Sequence, residues 1–113
     1  MYIGWVGGLE RSDSSFEQLA AAAGHQLEFH NGDVRGNGLN AMRGLVKRSS
    51  FVVILTTINS HQGVQLAKRL ARKQNRPFVV MKRCGQSGFR QFLAEIDRHD
   101  SKFGRHMKNG ANA

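Results

Sequence analysis

The sequence predicts an α/β protein: a three-layer sandwich with a four-stranded parallel sheet in the order 2-1-3-4 and helices on both faces. Three observations carry this. Strand and helix signals alternate with little filler, in the order βαβαβαβα. Strands separated by helices are joined by crossovers, and crossovers make a sheet parallel. Phe51 to Leu55 is apolar throughout, as a strand covered on both faces should be. Right-handed crossovers wound to both sides favour the order 2-1-3-4 over the singly wound 1-2-3-4.

Each element has its own warrant. Tyr2 to Val6 is apolar and stops at Gly7-Gly8, giving the first strand. Ser14-x-x-Glu17 matches a capping box, so a helix should begin near Ser15. Phe16, Leu19, Ala20 and Ala23 share one helical face, and Gly24 suits the position just past its end. Gln26 to His30 makes a second strand with Leu27 and Phe29 on one side, followed by a glycine-rich loop from Asn31 to Gly38. The second helix, Leu39 to Arg48, should turn Leu39, Met42, Leu45 and Val46 inward. After the third strand, a helix from His61 to Gln74 places Val64, Ala67, Leu70 and Ala71 on one stripe, with Lys68, Arg69, Arg72 and Lys73 over much of the rest. Asn75-Arg76-Pro77 breaks it, and Phe78 to Met81 is the fourth strand. A last helix, Gly88 to Arg98, should bury Phe89, Phe92, Leu93 and Ile96.

The chain of 113 residues reads as one domain over residues 1–98, with a basic, flexible tail over 99–113. Hydrophobic residues make up 40%, enough for a core, and no apolar run reaches the ~20 residues of a spanning helix. The N-terminus has no signal-peptide pattern. A single cysteine, Cys84, excludes an internal disulfide and an all-cysteine zinc site. The expectation is a cytoplasmic protein without membrane contact. The core is small, so pairing into a homodimer is expected. A net charge of +9 raises the local concentration of anions without choosing among them.

In the order 2-1-3-4 the loops leaving strands one and three diverge and open a crevice at the carboxyl edge of the sheet. That brings Gly7, Gly8 and Arg11 opposite Asn59, Ser60 and His61. His30, Asp33 and Arg35 flank one side; Lys82 and Arg83 flank the other. The glycines let backbone approach a ligand, and helix N-termini present N–H groups to an anion. Asn59 or Ser60 would cap the third helix in any case. Neither G-x-G-x-x-G nor G-x-x-x-x-G-K-[ST] is present, so neither a dinucleotide fingerprint nor a P-loop is indicated. Asp33 with Arg35 could contact a ribose or phosphate, or stabilise their own loop through an Asx-turn.

With these residues located, the chain resembles domain of unknown function 2325, a family of small bacterial proteins, over Met1 to Ile96. The likeness rests on Val6-Gly7-Gly8, His30-Asn31-Gly32-Asp33, Asn59-x-His61 and a basic residue after strand four. The resemblance implies a Rossmann-like sandwich and no settled reaction.

Several functions compete. The first is a non-catalytic domain that holds an anionic or phosphate-bearing small molecule at the crevice. Its runner-up is a haem protein sensing gas or redox state, with His61 or His30 as iron ligand and Tyr2, Met42, Met81 and Cys84 close by. A third is nucleic-acid binding by the basic third helix and tail. An enzyme is the least favoured: acid–base work would fall to His61 with Asp33, and no G-x-S-x-G elbow exists.

Overall fold

A computed structural model describes residues 1–8, 13–57, 59–82 and 84–96. The four strands are β1 (Tyr2–Val6), β2 (Gln26–His30), β3 (Phe51–Leu55) and β4 (Phe78–Met81). They form one sheet in the order β2-β1-β3-β4, and every neighbouring pair is parallel. The helices are α1 (Asp13–Ala22), α2 (Gly38–Arg48), α3 (His61–Lys73) and α4 (residues 86–96). All four strands begin and end where the sequence places them. The helix starts move: α1 begins ahead of Ser15, and α4 two residues ahead of Gly88. The side chain of Ser14, expected to cap α1, lies outside the described residues, as do Arg11, Arg83 and the tail 99–113.

Alternation along the strands builds two cores, one on each face. Ile3 and Trp5 of β1, with Phe51, Val53 and Leu55 of β3, point to α1 and α4 and meet Phe16, Ala20, Phe89, Leu93 and Ile96. Trp5 is the hub of an aromatic cluster: its ring centroid lies 5.4 Å from Phe16 and 5.2 Å from Phe89, with Phe16 and Phe89 5.0 Å apart. Val6, Val52 and Ile54 point the other way, to Met42, Leu45 and Val46 of α2 and Val64, Ala67, Leu70 and Ala71 of α3. Gly4 shares that second face because Leu45 and the buried Ser49 occupy the space a Cβ would need.

One inward assignment fails. Leu39 is 36% exposed. It sits in the first turn of α2, and the buried stripe of that helix starts a turn later at Met42. Gly24, by contrast, takes the left-handed conformation (φ +85°), and the His25 N–H reaches back to the Ala20 carbonyl at 2.8 Å, closing α1.

Candidate functional site

The carboxyl edge of the sheet is the rim where all four strands release their loops. Gly7 and Gly8 leave β1 with φ of +95° and +91°, a conformation in which a side chain would be strained. The Gly7 N–H donates to the His30 carbonyl at 2.8 Å, which ties the β1 exit to the β2 exit.

Asn59 fills the crevice between the β1, β2 and β3 loops. Its Nδ2 donates to the Leu55 carbonyl at 2.7 Å. A Cβ at Gly7 would lie 2.7 Å from that same Nδ2, and a Cβ at Gly32 would run into Oδ1. Gly63, in the first turn of α3, is walled by the Gly32 carbonyl, by Asn59 Oδ1 and by Ser60 Oγ. Three glycines from three segments therefore close around one amide. The result is a buried Asn59 Oδ1 with no hydrogen-bond partner among the described residues. The amide cannot simply turn over, because its oxygen would then face the Leu55 carbonyl.

Ser60 caps α3. Its hydroxyl oxygen accepts from the Gly63 N–H at 2.8 Å and donates its own proton to the Gly32 carbonyl at 2.7 Å. The first-turn N–H groups of His61 and Gln62 have no partner within the helix, and both residues are exposed. Across the rim, Thr57 donates its hydroxyl to the Lys82 carbonyl, which leaves the Lys82 side chain exposed beside the β3 exit.

His30 belongs to the loop rather than to the crevice. Its Nδ1 accepts from the Gly32 N–H at 2.9 Å, so the proton sits on Nε2, which donates to the Gly38 carbonyl at 2.8 Å. Both nitrogens are thus committed to backbone. Asp33 is likewise committed: Arg35 donates to it from its backbone N–H, Nε and a terminal nitrogen, each at 3.0 Å. These bonds hold the Asp33 carboxyl down at about 2, which makes it a weak base at neutral pH.

The rim brings together Gly7, Gly8, Asn59, Ser60, His61 and Lys82, with His30, Asp33 and Arg35 bracing its β2 side. Two haem candidates lie elsewhere. Tyr2 opens β1 and pairs with Gln26, so the length of the strand separates it from the rim. Met42 is fully buried in the α2–α3 core. Among the described residues no group of three or more His, Cys, Asp or Glu is arranged to hold a metal ion. Burial raises the Cys84 thiol above its ordinary value, so it is a poor nucleophile at neutral pH.

Sequence reasoning missed Gly32 and Gly63 as walls of the Asn59 cradle. Gly63 did leave a signal: a glycine inside a helical pattern costs about 1 kcal/mol against alanine, and such a position often has a packing reason.

A parallel sheet in the order 2-1-3-4, with glycine turns at its switch point, defines a small Rossmann-like α/β protein. The chain belongs to the bacterial family described as "Uncharacterized protein conserved in bacteria (DUF2325)", whose family model matches residues 2–96. No curated protein and no solved structure matches it. Among the described residues no helix is long and apolar enough to cross a membrane.

Proposed function

We propose that the chain is a non-catalytic binding domain holding an anionic, phosphate-bearing small molecule at the carboxyl rim, over the switch point between β1 and β3. One observation carries the reading: Gly7-Gly8 and the first turn of α3 stand on the two sides of that switch point, joined through Asn59. Gly7 is buried against Asn59, so approach to the backbone falls to the half-buried Gly8, and the α3 N-terminus offers N–H groups and a partial positive charge. Lys82 adds a full charge from the β4 side. The ionised, Arg-bound Asp33 argues against a proton-transfer role for this rim. The occupied nitrogens of His30 leave exposed His61 as the iron ligand to test.

Thermal-shift titration against ATP, ADP, AMP and inorganic phosphate tests the proposal. A ligand at a hundredfold its Kd adds about 2.7 kcal/mol, a rise on the order of 10 °C for a chain of this size. Lys82→Ala should cut that rise at fixed ligand concentration. Shifts that survive Lys82→Ala combined with Gln62→Pro, which removes one first-turn N–H, would place the anion elsewhere. A Soret band on adding haem that His61→Ala abolishes would transfer the rim to iron.

A further inference from the structure

The layer formed by α2 and α3 carries charge of one sign. No Asp or Glu occurs between Asp33 and Glu95, a span that holds twelve of the seventeen Lys and Arg residues. Arg43 and Lys47 of α2 and Arg69 and Lys73 of α3 are all exposed. Arg43, Leu70, Lys73 and Gln74 line a shallow groove of about 190 Å³ between the two helices. Arg76, two residues past Gln74, ties the segment after α3 to α2. It donates from a terminal nitrogen to the Lys47 carbonyl at 2.9 Å, and its buried Nε–H has no partner among the described residues.

Cations in a last helical turn have an ordinary explanation, since they offset the negative end of the helix dipole. Lys47 and Lys73 fit it. Arg43 and Arg69 do not, because they stand one turn earlier, outside the last-turn residues of their helices. Each is also four residues from a like charge, Arg43 from Lys47 and Arg69 from Lys73, a spacing that destabilises a helix. A merely solvated face would interleave acids to relieve this. Arg48 shows the relief at work, held by Glu28 of β2 at 2.6 Å, but it points away from the groove.

We infer that the α2–α3 face is a nucleic-acid interface, in which Arg43 and Lys73 at the groove, with Lys47 and Arg69 one helical turn from them, engage the sugar–phosphate backbone. Recognition is electrostatic and independent of sequence, because cations that meet phosphates fix position without reading base edges. This face lies on the helix layer and is separate from the carboxyl rim, so the two proposals stand or fall independently.

The test is fluorescence anisotropy of the full chain with labelled duplex and single-stranded oligonucleotides of mixed sequence, from 50 to 200 mM salt. Four neutralised phosphates give a slope of log K against log salt of about −3.6 on duplex and about −2.8 on a single strand. Arg43→Gln with Lys73→Gln should weaken binding at least tenfold and reduce the duplex slope by about 1.8. Lys47→Gln with Arg69→Gln should do the same. Arg90→Gln, on α4 across the sheet, should leave both quantities unchanged. All five positions are exposed, and cooperative melting curves with midpoints no lower than wild type confirm that each variant folds. Absence of binding at 50 mM salt overturns the inference, as does a loss per charge at Arg90 equal to that at Arg43. Binding to phosphatidylserine vesicles with no binding to either oligonucleotide overturns it in favour of a membrane surface.

Discussion

At the scale of residues, the rim is governed by one amide. Asn59 satisfies its donor at the Leu55 carbonyl and leaves its acceptor buried and, among the described residues, unpaired. Such an atom forgoes the bonds it would make in water. Asn59→Ala should therefore cost only about 1 kcal/mol, because removing the donor also removes the orphaned oxygen. Asn59→Asp should cost more, since a carboxylate oxygen would then oppose the Leu55 carbonyl. Gly32→Ala should be worse than Asn59→Ala. It combines a left-handed residue, costing about 1–2 kcal/mol, with a clash against Oδ1. In the double variant Asn59→Ala/Gly32→Ala the clash disappears and the backbone strain remains, so the two costs should combine to less than their sum. Urea denaturation of the four proteins measures this ordering.

At the scale of elements, α3 links the rim to the basic face. Its N-terminus is held by Ser60, whose hydroxyl serves both the Gly63 N–H and the Gly32 carbonyl. Ser60→Ala removes the cap and the tie to the β2 loop together. The expected loss is about 1–2 kcal/mol, the upper part of the range for a cap. Ser60→Asp should keep the cap and lose the donation to Gly32, recovering part of the stability. Equal stability of Ser60→Ala and wild type in thermal melts would mean that the loop is held without it. The opposite end of α3 is less economical. Among the described residues no acid pairs with its cations, and the aliphatic contacts of the buried stripe hold the helix in place despite them. Arg72 gains one compensation by lying over the Phe78 ring, 5.5 Å from its centroid.

At the scale of the whole molecule, the amino edge of the sheet is fastened by one polar cluster. Tyr2 donates to Glu28, and Arg48 binds the same carboxylate through Nε at 3.1 Å and a terminal nitrogen at 2.6 Å. The cluster joins β1, β2 and α2. The Arg48 guanidinium holds the Glu28 carboxyl below its usual 4.5, against a smaller opposing effect of burial. A lowered folded pKa means that this stabilisation is complete above the unfolded value. It is lost as pH falls from about 4.5 through the folded value. Stability should therefore drop below pH 4.5, and Glu28→Gln should flatten that part of the profile, as urea midpoints from pH 3 to 7 will show. An unchanged slope in the variant would assign the acid sensitivity to other carboxylates.

Much of the fold was legible in the chain because its signals are local. Glycine, small polar residues or proline marked the strand ends, and the order 2-1-3-4 followed from right-handed crossovers in a doubly wound layout. Helix starts were less legible, since the first turn of a helix is set by its caps and by what it packs on. Leu39 shows the limit: its spacing fits the buried stripe, but the core begins one turn further on. The site was legible as a set of loop tips and not as a set of roles. Spacing placed His30, Asp33 and Arg35 at the rim. The sequence left Asp33 between a ligand contact and an Asx-turn in its own loop; the structure shows the turn, and shows His30 spending both ring nitrogens on the same loop.

What the sequence determined alone is the alternation of elements, the parallel sheet and the concentration of positive charge between Asp33 and Glu95, all properties of periodicity and composition. The tertiary structure decided which glycines touch Asn59, that Arg48 is the α2 cation that meets Glu28, and that Arg43 and Lys73 flank a common groove. These depend on residues far apart in the chain meeting at distances of a few ångströms. Hydrogen bonds and steric contact act only at that range, and no local pattern encodes it.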